Sequence, residues 1–275
     1  MADGPHAGRY SDLAERTTFG ALFACAGLAA VWFGGWANVG FAMAAGGVMA
    51  WEWRRIAVGD AFPVVAGFQI VGVAGAALLT FFDDFSSALL FLMAFAVAGA
   101  LADILRRKSP WWSFCGAVYI GLALMFFEAL REAPGQGLLS LLWLICIVVA
   151  TDVGAYFAGR LIGGPKLWPA VSPGKTWSGA IGGAACGVLA AWGFGGLAGS
   201  TFAPGALALA LLVSIVSQGG DLAESAYKRR FGVKDSGRIL PGHGGLLDRM
   251  DGLIAATLVV GALAQLRPET PVWAW

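Results

Sequence analysis

Long apolar runs alternate with short polar segments along the whole chain. Nine runs stand out, at roughly 17–35, 37–52, 61–82, 86–102, 111–128, 137–158, 177–198, 204–221 and 252–266. Runs of this kind approach the length a helix needs to cross ~30 Å of hydrocarbon. The pattern predicts an all-α, polytopic integral membrane bundle of about nine transmembrane helices. Several runs are short, and the second could form a tight re-entrant pair with the first.

The charges between the runs fit that count. With the N-terminus on the cytoplasmic side, the inner segments carry Arg9 and Arg16, Arg54 and Arg55, Arg106 to Lys108, Arg160, Lys166 and Lys175, and the basic residues of 228–249. Of the 18 Lys and Arg, only Arg131 and Arg267 then fall outside. The turns "FFDDFSS" and "GLAGSTFAPG" carry none. An error of one span would scramble this alternation, so the positive-inside rule supports nine spans. The chain divides into a cytoplasmic tail (1–16), an N-terminal set of helices (17–136) and a C-terminal region (137–275) with inner loops at 159–176 and 222–251.

Composition agrees. Of 275 residues, 58% are hydrophobic and 13% charged, about half the charge that a water-soluble surface needs. The bases form no continuous stripe, which excludes nucleic acid as a partner and leaves membrane lipid as the surroundings. Cys25, Cys115, Cys146 and Cys186 lie far apart in apolar segments, with no ligand or redox spacing. Residues 1–16 have mixed charge, unlike a cleaved secretory leader. Trp51, Trp53, Trp111, Trp112, Trp168 and Trp177 fall near run ends, as interfacial anchors do. In "GAIGGAACG", Gly179, Gly183 and Gly187 repeat at four-residue spacing, which allows close helix approach.

The chemistry collects in two inner segments, 151–179 and 219–252. Three acids stand at run ends: Asp152, Asp221 and Asp251. A carboxylate near hydrocarbon is costly and calls for a wet cavity and a cation. If the helix of the eighth run continues past Asp221, then Asp221, Ser225 and Lys228 share one face. "PGHGG" is too rich in glycine for helix and precedes one, so the N–H groups around Gly244 and Gly245 form a candidate anion site. Asp248 and Asp251 follow three residues apart on one face of the next helix. Asp221, Asp248 and Asp251 are hard oxygen donors suited to Mg²⁺, with one ion or two. Lys228, Arg229, Lys234, Arg238 and Arg249 would serve a polyphosphate. The plainer reading, acids neutralising a basic inner loop, covers Arg230, Glu224 and Asp235. "GKT" at 174–176 is no P-loop, because Pro169 stands where the first glycine belongs and a membrane helix precedes it. Lys175 and Ser172 remain candidates for a phosphate contact, against a plain interfacial lysine.

The run Ser225-Ala-Tyr-Lys228-Arg229, then Lys234-Asp235, His243-Gly244-Gly245 and Asp248-Arg249-Met-Asp251, resembles the signature of the bacterial phosphatidate cytidylyltransferases. "DVGAYFAGRLIGG", "SPGKTWSGAIGG" and "SQGGDLAES" resemble that family's other motifs in the same order, from about residue 150 onward. Tyr227, Gly219, Gly174 and Ser178 depart from the usual residues. The resemblance implies transfer of CMP from CTP to phosphatidate, giving CDP-diacylglycerol and pyrophosphate, at the cytoplasmic face of a bacterial inner (plasma) membrane. It implies a Mg²⁺-dependent nucleotidyltransferase of phospholipid biosynthesis, with Asp221, Asp248 and Asp251 on the metal. Ser225 and Lys228 would act with them, and Lys175, Arg229, Lys234, Arg238, His243, Gly244, Gly245 and Arg249 would bind substrate. His243 has a turn-holding role as its alternative, and a homodimer stays open. Other readings are a CTP-dependent lipid kinase and a secondary transporter, but a transporter would place its acids at the midplane of two related halves.

Overall fold

The computed structural model describes residues 7–59, 63–199, 204–237, 239, 244–267 and 269–275, with side chains from residue 18 onward except at 63. Arg238 and His243 lie outside the described residues. The helices in chain order are α1 (Ala7–Phe33), α2 (Gly35–Val58), α3 (Pro63–Phe81), α4 (Phe85–Leu105), α5 (Pro110–Glu132), α6 (Gly137–Leu161), α7 (Trp177–Leu197), α8 (Pro204–Arg230) and α9 (Leu247–Ala264). Each apolar run has become one helix. Among the described residues six helices, α3 to α8, are long and apolar enough to cross a membrane, against the nine spans expected.

Two apolar cores organise the bundle. Met49, Leu92, Ile120 and Met125 centre the first, among α2, α4 and α5, and Ala76 and Ala77 of α3 join them. Trp143, Leu144, Ile147, Val213 and Val260 centre the second, among α6, α8 and α9. Helix α9 bridges them, because Leu247 and Ile254 belong to the first core and Ala256 and Val260 to the second.

The glycine repeat does what its spacing suggests. A Cβ at Gly183 would sit 2.8 Å from the Thr151 carbonyl and 3.0 Å from the Ala155 Cβ, so α7 lies directly on the α6 backbone. Only Gly34, at φ 63°, separates α1 from α2. Arg131 closes over it, donating from Nε to the Val31 carbonyl at 2.6 Å, and a side chain at Gly34 would overlap that guanidinium.

Three features differ from the sequence expectation. Helix α8 runs unbroken to Arg230 and α9 begins at Leu247, so the segment between them is shorter than 222–251. Antiparallel strands β1 (Lys166–Trp168) and β2 (Ser172–Thr176) interrupt the otherwise all-α fold, with Lys175 in β2. Trp53 and Trp112 are not simple interfacial anchors. Trp53 stacks on Tyr227, with centroids 4.0 Å apart and planes at 14°, and Trp112 packs on Tyr227 and Phe231. Trp111, Trp168 and Trp177 are exposed, as anchors should be.

Arg54 is also no loop charge. It is 2% exposed and grips Asp103 through both terminal nitrogens at 2.9 Å. Ser113 hydrogen-bonds the same carboxylate and accepts from Arg54 at 2.7 Å. Charges buried this deeply persist only when paired and bonded.

Candidate active site

One end of the bundle opens into a cavity of about 760 Å³, lined by the end of α6, the hairpin, the start of α7, the end of α8 and the start of α9. Asp152, Lys175, Asp221, Lys228, Asp248, Arg249 and Asp251 all reach it. Residues far apart in sequence meet there because α6 and α8 end, and α7 and α9 begin, at the same end of the bundle.

The continuous α8 gives Asp221, Ser225 and Lys228 their common face. Ser225 donates to Asp221 Oδ1 at 3.4 Å. Lys175 Nζ lies 2.5 Å from Asp221 Oδ2, so the hairpin docks on α8 through an ion pair. Thr176 then starts α7 by accepting the Gly179 N–H at 3.1 Å, a helix cap rather than a phosphate loop. Lys228 Nζ lies 2.6 Å from Asp248 Oδ1 and 2.8 Å from Glu224 Oε2. Glu224 is therefore a buried partner of Lys228, not part of a solvated basic loop, as its 4% exposure shows.

Asp248 also accepts the Ser236 N–H at 2.9 Å and the Gly245 N–H at 2.9 Å, both on Oδ2. Burial alone would push its carboxyl up, yet Lys228 and these two N–H groups hold it below the usual carboxylate range. Asp251 accepts the Gly252 N–H at 2.7 Å. Asp152 of α6, Asp221 of α8 and Asp251 of α9 thus present three carboxyl groups to one space.

Among the described residues at the start of α9, three N–H groups already have carboxylate partners. Gly245 gives its N–H to Asp248, and Leu246 and Leu247 give theirs to Glu52 of α2 at 3.1 and 2.8 Å. The protein supplies the anion itself. Gly244, at φ 82°, makes the turn that brings the chain to Asp248. Arg229 is exposed and donates to the Val233 carbonyl at 3.4 Å; Lys234 is exposed too, and neither lines the cavity. The sequence reading missed Glu52. The available signal was an acid inside the apolar run "MAWEWRRIA".

Among the described residues, no three His, Cys, Asp or Glu side chains group closely enough to enclose a metal by themselves. Lysine ammonium groups instead neutralise Asp221 and Asp248.

Among the described residues, nine helices around two apolar cores, with carboxylates and lysines gathered in one cavity at the bundle's end, define a polytopic membrane protein with a site for charged groups. The chain belongs to the cytidylyltransferase family, whose sequence profile matches residues 14–266. It is similar to a protein of Brucella suis biovar 1 (strain 1330) named phosphatidate cytidylyltransferase, at 41% identity over 245 residues, covering 88% of this chain and 89% of that one. A protein of the same name from Brucella abortus biovar 1 (strain 9-941) matches equally, at 41% over 245 residues and the same coverage. Another so named, from Staphylococcus aureus (strain COL), is 45% identical over 147 residues, 52% of this chain and 55% of that one. The resemblance read from the motifs is borne out, and it extends into the N-terminal half, where the motifs gave no match.

Proposed function

We propose that the chain transfers CMP from CTP to phosphatidate, releasing pyrophosphate and forming CDP-diacylglycerol, at the cytoplasmic face of a bacterial plasma membrane. The observation that carries this reading is the meeting of Asp152, Asp221 and Asp251, from three helices, with Lys175 and Lys228 in one cavity. Carboxylates interleaved with ammonium groups suit a nucleotide polyphosphate with its counter-ion.

A phosphate oxygen of phosphatidate attacks the α-phosphorus of CTP. The α–β bridging P–O bond breaks, and its electron pair leaves on pyrophosphate. A phosphomonoester is already a competent nucleophile near neutrality, so no strong general base is required, in keeping with a site of carboxylates and ammonium groups. Lys175 and Lys228 would turn from their carboxylates toward phosphate oxygens, holding the chain of phosphates in line. Arg249, at the cavity wall, adds a further cation.

The donor set fits Mg²⁺. This ion takes one or two protein carboxylates and completes its shell with water and substrate phosphate, and Asp221 and Asp251 both line the cavity. Asp221 and Asp251 would hold it, and Asp248 would stay on the Ser236 and Gly245 N–H groups. When bound, it supplies charge neutralisation on the polyphosphate.

The test is incorporation of labelled CTP into chloroform-extractable lipid by the purified chain. Product is expected only with phosphatidate present, lost with EDTA and restored by Mg²⁺. No labelled lipid under any condition would overturn the assignment.

A further inference from the structure

Three consecutive side chains of helix α2 reach four other helices. Trp53 stacks on Tyr227 of α8 and accepts its hydroxyl proton at the Trp53 carbonyl, 2.7 Å away. Arg54 locks onto Asp103 of α4 and Ser113 of α5. Glu52, fully buried, reaches the start of α9. Its Oε1 accepts the Leu246 N–H at 3.1 Å, and its Oε2 accepts the Leu247 N–H at 2.8 Å and the Ser236 hydroxyl at 3.3 Å. A Cβ at Gly237 or Gly245 would overlap this carboxylate, so both glycines pack the α8–α9 segment directly against it.

We propose that Glu52 is a positioning residue for the transfer reaction: from the opposite half of the chain, it fixes the start of α9 and so the aim of Asp248 and Asp251. The inference rests on the cytidylyl-transfer reading. The free N–H groups at a helix start carry the positive end of its dipole and attract any nearby carboxylate. With Glu52 satisfying Leu246 and Leu247, Asp248 is left to bridge Lys228, Ser236 and Gly245, and Asp251 to face the cavity. Ser236 links the two carboxylates, giving its hydroxyl to Glu52 and its N–H to Asp248. Arg54 and Trp53 hold the α2 backbone so that Glu52 cannot follow if α9 shifts.

The experiment uses the full chain with phosphatidate in detergent micelles, comparing wild type, Glu52→Gln and Ser236→Ala. Kinetic constants for each substrate are measured beside the rise in Tm that CTP causes without phosphatidate. Glu52→Gln keeps one acceptor oxygen but loses the charge. It is expected to raise KM for CTP about tenfold, the lower end of supporting-shell losses around ion sites, with KM for phosphatidate within about twofold. The CTP-induced Tm rise should need correspondingly more nucleotide. Ser236→Ala should move the same readouts in the same direction by less, and it carries the test if Glu52→Gln does not fold. A folded Glu52→Gln protein with unchanged KM and Tm response to CTP overturns the proposal. So does an unfolded Glu52→Gln protein with Ser236→Ala indistinguishable from wild type. An inactive wild type in this assay would instead sink the reaction assignment, and this role with it.

Discussion

Lys228 of α8 lies 2.6 Å from Asp248 of α9 and ties the two helices together at the base of the cavity. Its second partner, Glu224, sits one turn earlier on α8 at 2.8 Å. One ammonium thus neutralises two carboxylates that are only 4% and 10% exposed. Replacing it with an apolar group of similar length leaves both acids uncompensated. Removing one member of a buried pair costs about 3–5 kcal/mol. Lys228→Met should therefore lower the melting temperature in detergent markedly and abolish labelled-lipid formation. A variant that melts like wild type would show that the acids find other partners.

Lys175 and Asp221 are a contrasting pair. They are 26% and 38% exposed, and exposed pairs of this kind contribute about 0–1 kcal/mol. Lys175→Ala should leave the melting temperature nearly unchanged. As a phosphate ligand, however, the ammonium acts only with nucleotide bound, so KM for CTP should rise about tenfold, the value of one charge-assisted bond. A drop in stability with an unaltered KM would make Lys175 a structural clip between hairpin and helix.

Asp251 faces the cavity that Asp221 also lines. Asp251→Asn keeps the side chain's shape and removes a carboxyl group from the cavity. Activity should fall by at least about a hundredfold, the scale seen when one preorganised electrostatic group is lost. Stability should hold or increase, the usual inverse relation at functional sites. Turnover near wild type in membranes containing normal amounts of the variant would remove Asp251 from the chemistry.

The helices were legible because hydrocarbon demands continuous apolar runs: each run marks one helix among the described residues, of which α3 to α8 are long and apolar enough to cross a membrane. That Asp221, Lys228, Asp248 and Asp251 meet in one cavity was legible too, since charged residues at run ends need partners away from hydrocarbon. What the chain pattern could not carry was partnership across distance. Glu52 and Leu247 are 195 residues apart, and Arg54 and Asp103 are 49 apart. A charge count along the chain sees Arg54 as one more inner-loop base, because burial depends on what packs against it. Likewise the glycines before α9 announce free N–H groups, but not that Glu52 and Asp248 will fill them. Arg229 and Lys234 show the converse, bases inside the signature that stay on the surface away from the cavity.

The Arg54–Asp103 pair allows a double-substitution test of the anchor beneath Glu52. Each side chain is almost fully buried, so either single change strands the other's charge away from water. Arg54→Met and Asp103→Leu alone should each destabilise by about 3–5 kcal/mol. The double variant replaces both partners with apolar groups of comparable size and strands neither, so it should recover most of that loss. Thermal unfolding of the four proteins in one detergent reads the coupling directly. Additive losses would mean that the two charges do not depend on each other. Since α2 also carries Glu52, a double variant with restored stability and restored KM for CTP would show that α2 needs a fixed position and not this particular ion pair. Restored stability with a KM that stays high would show that the bidentate geometry itself sets where α2 meets α9.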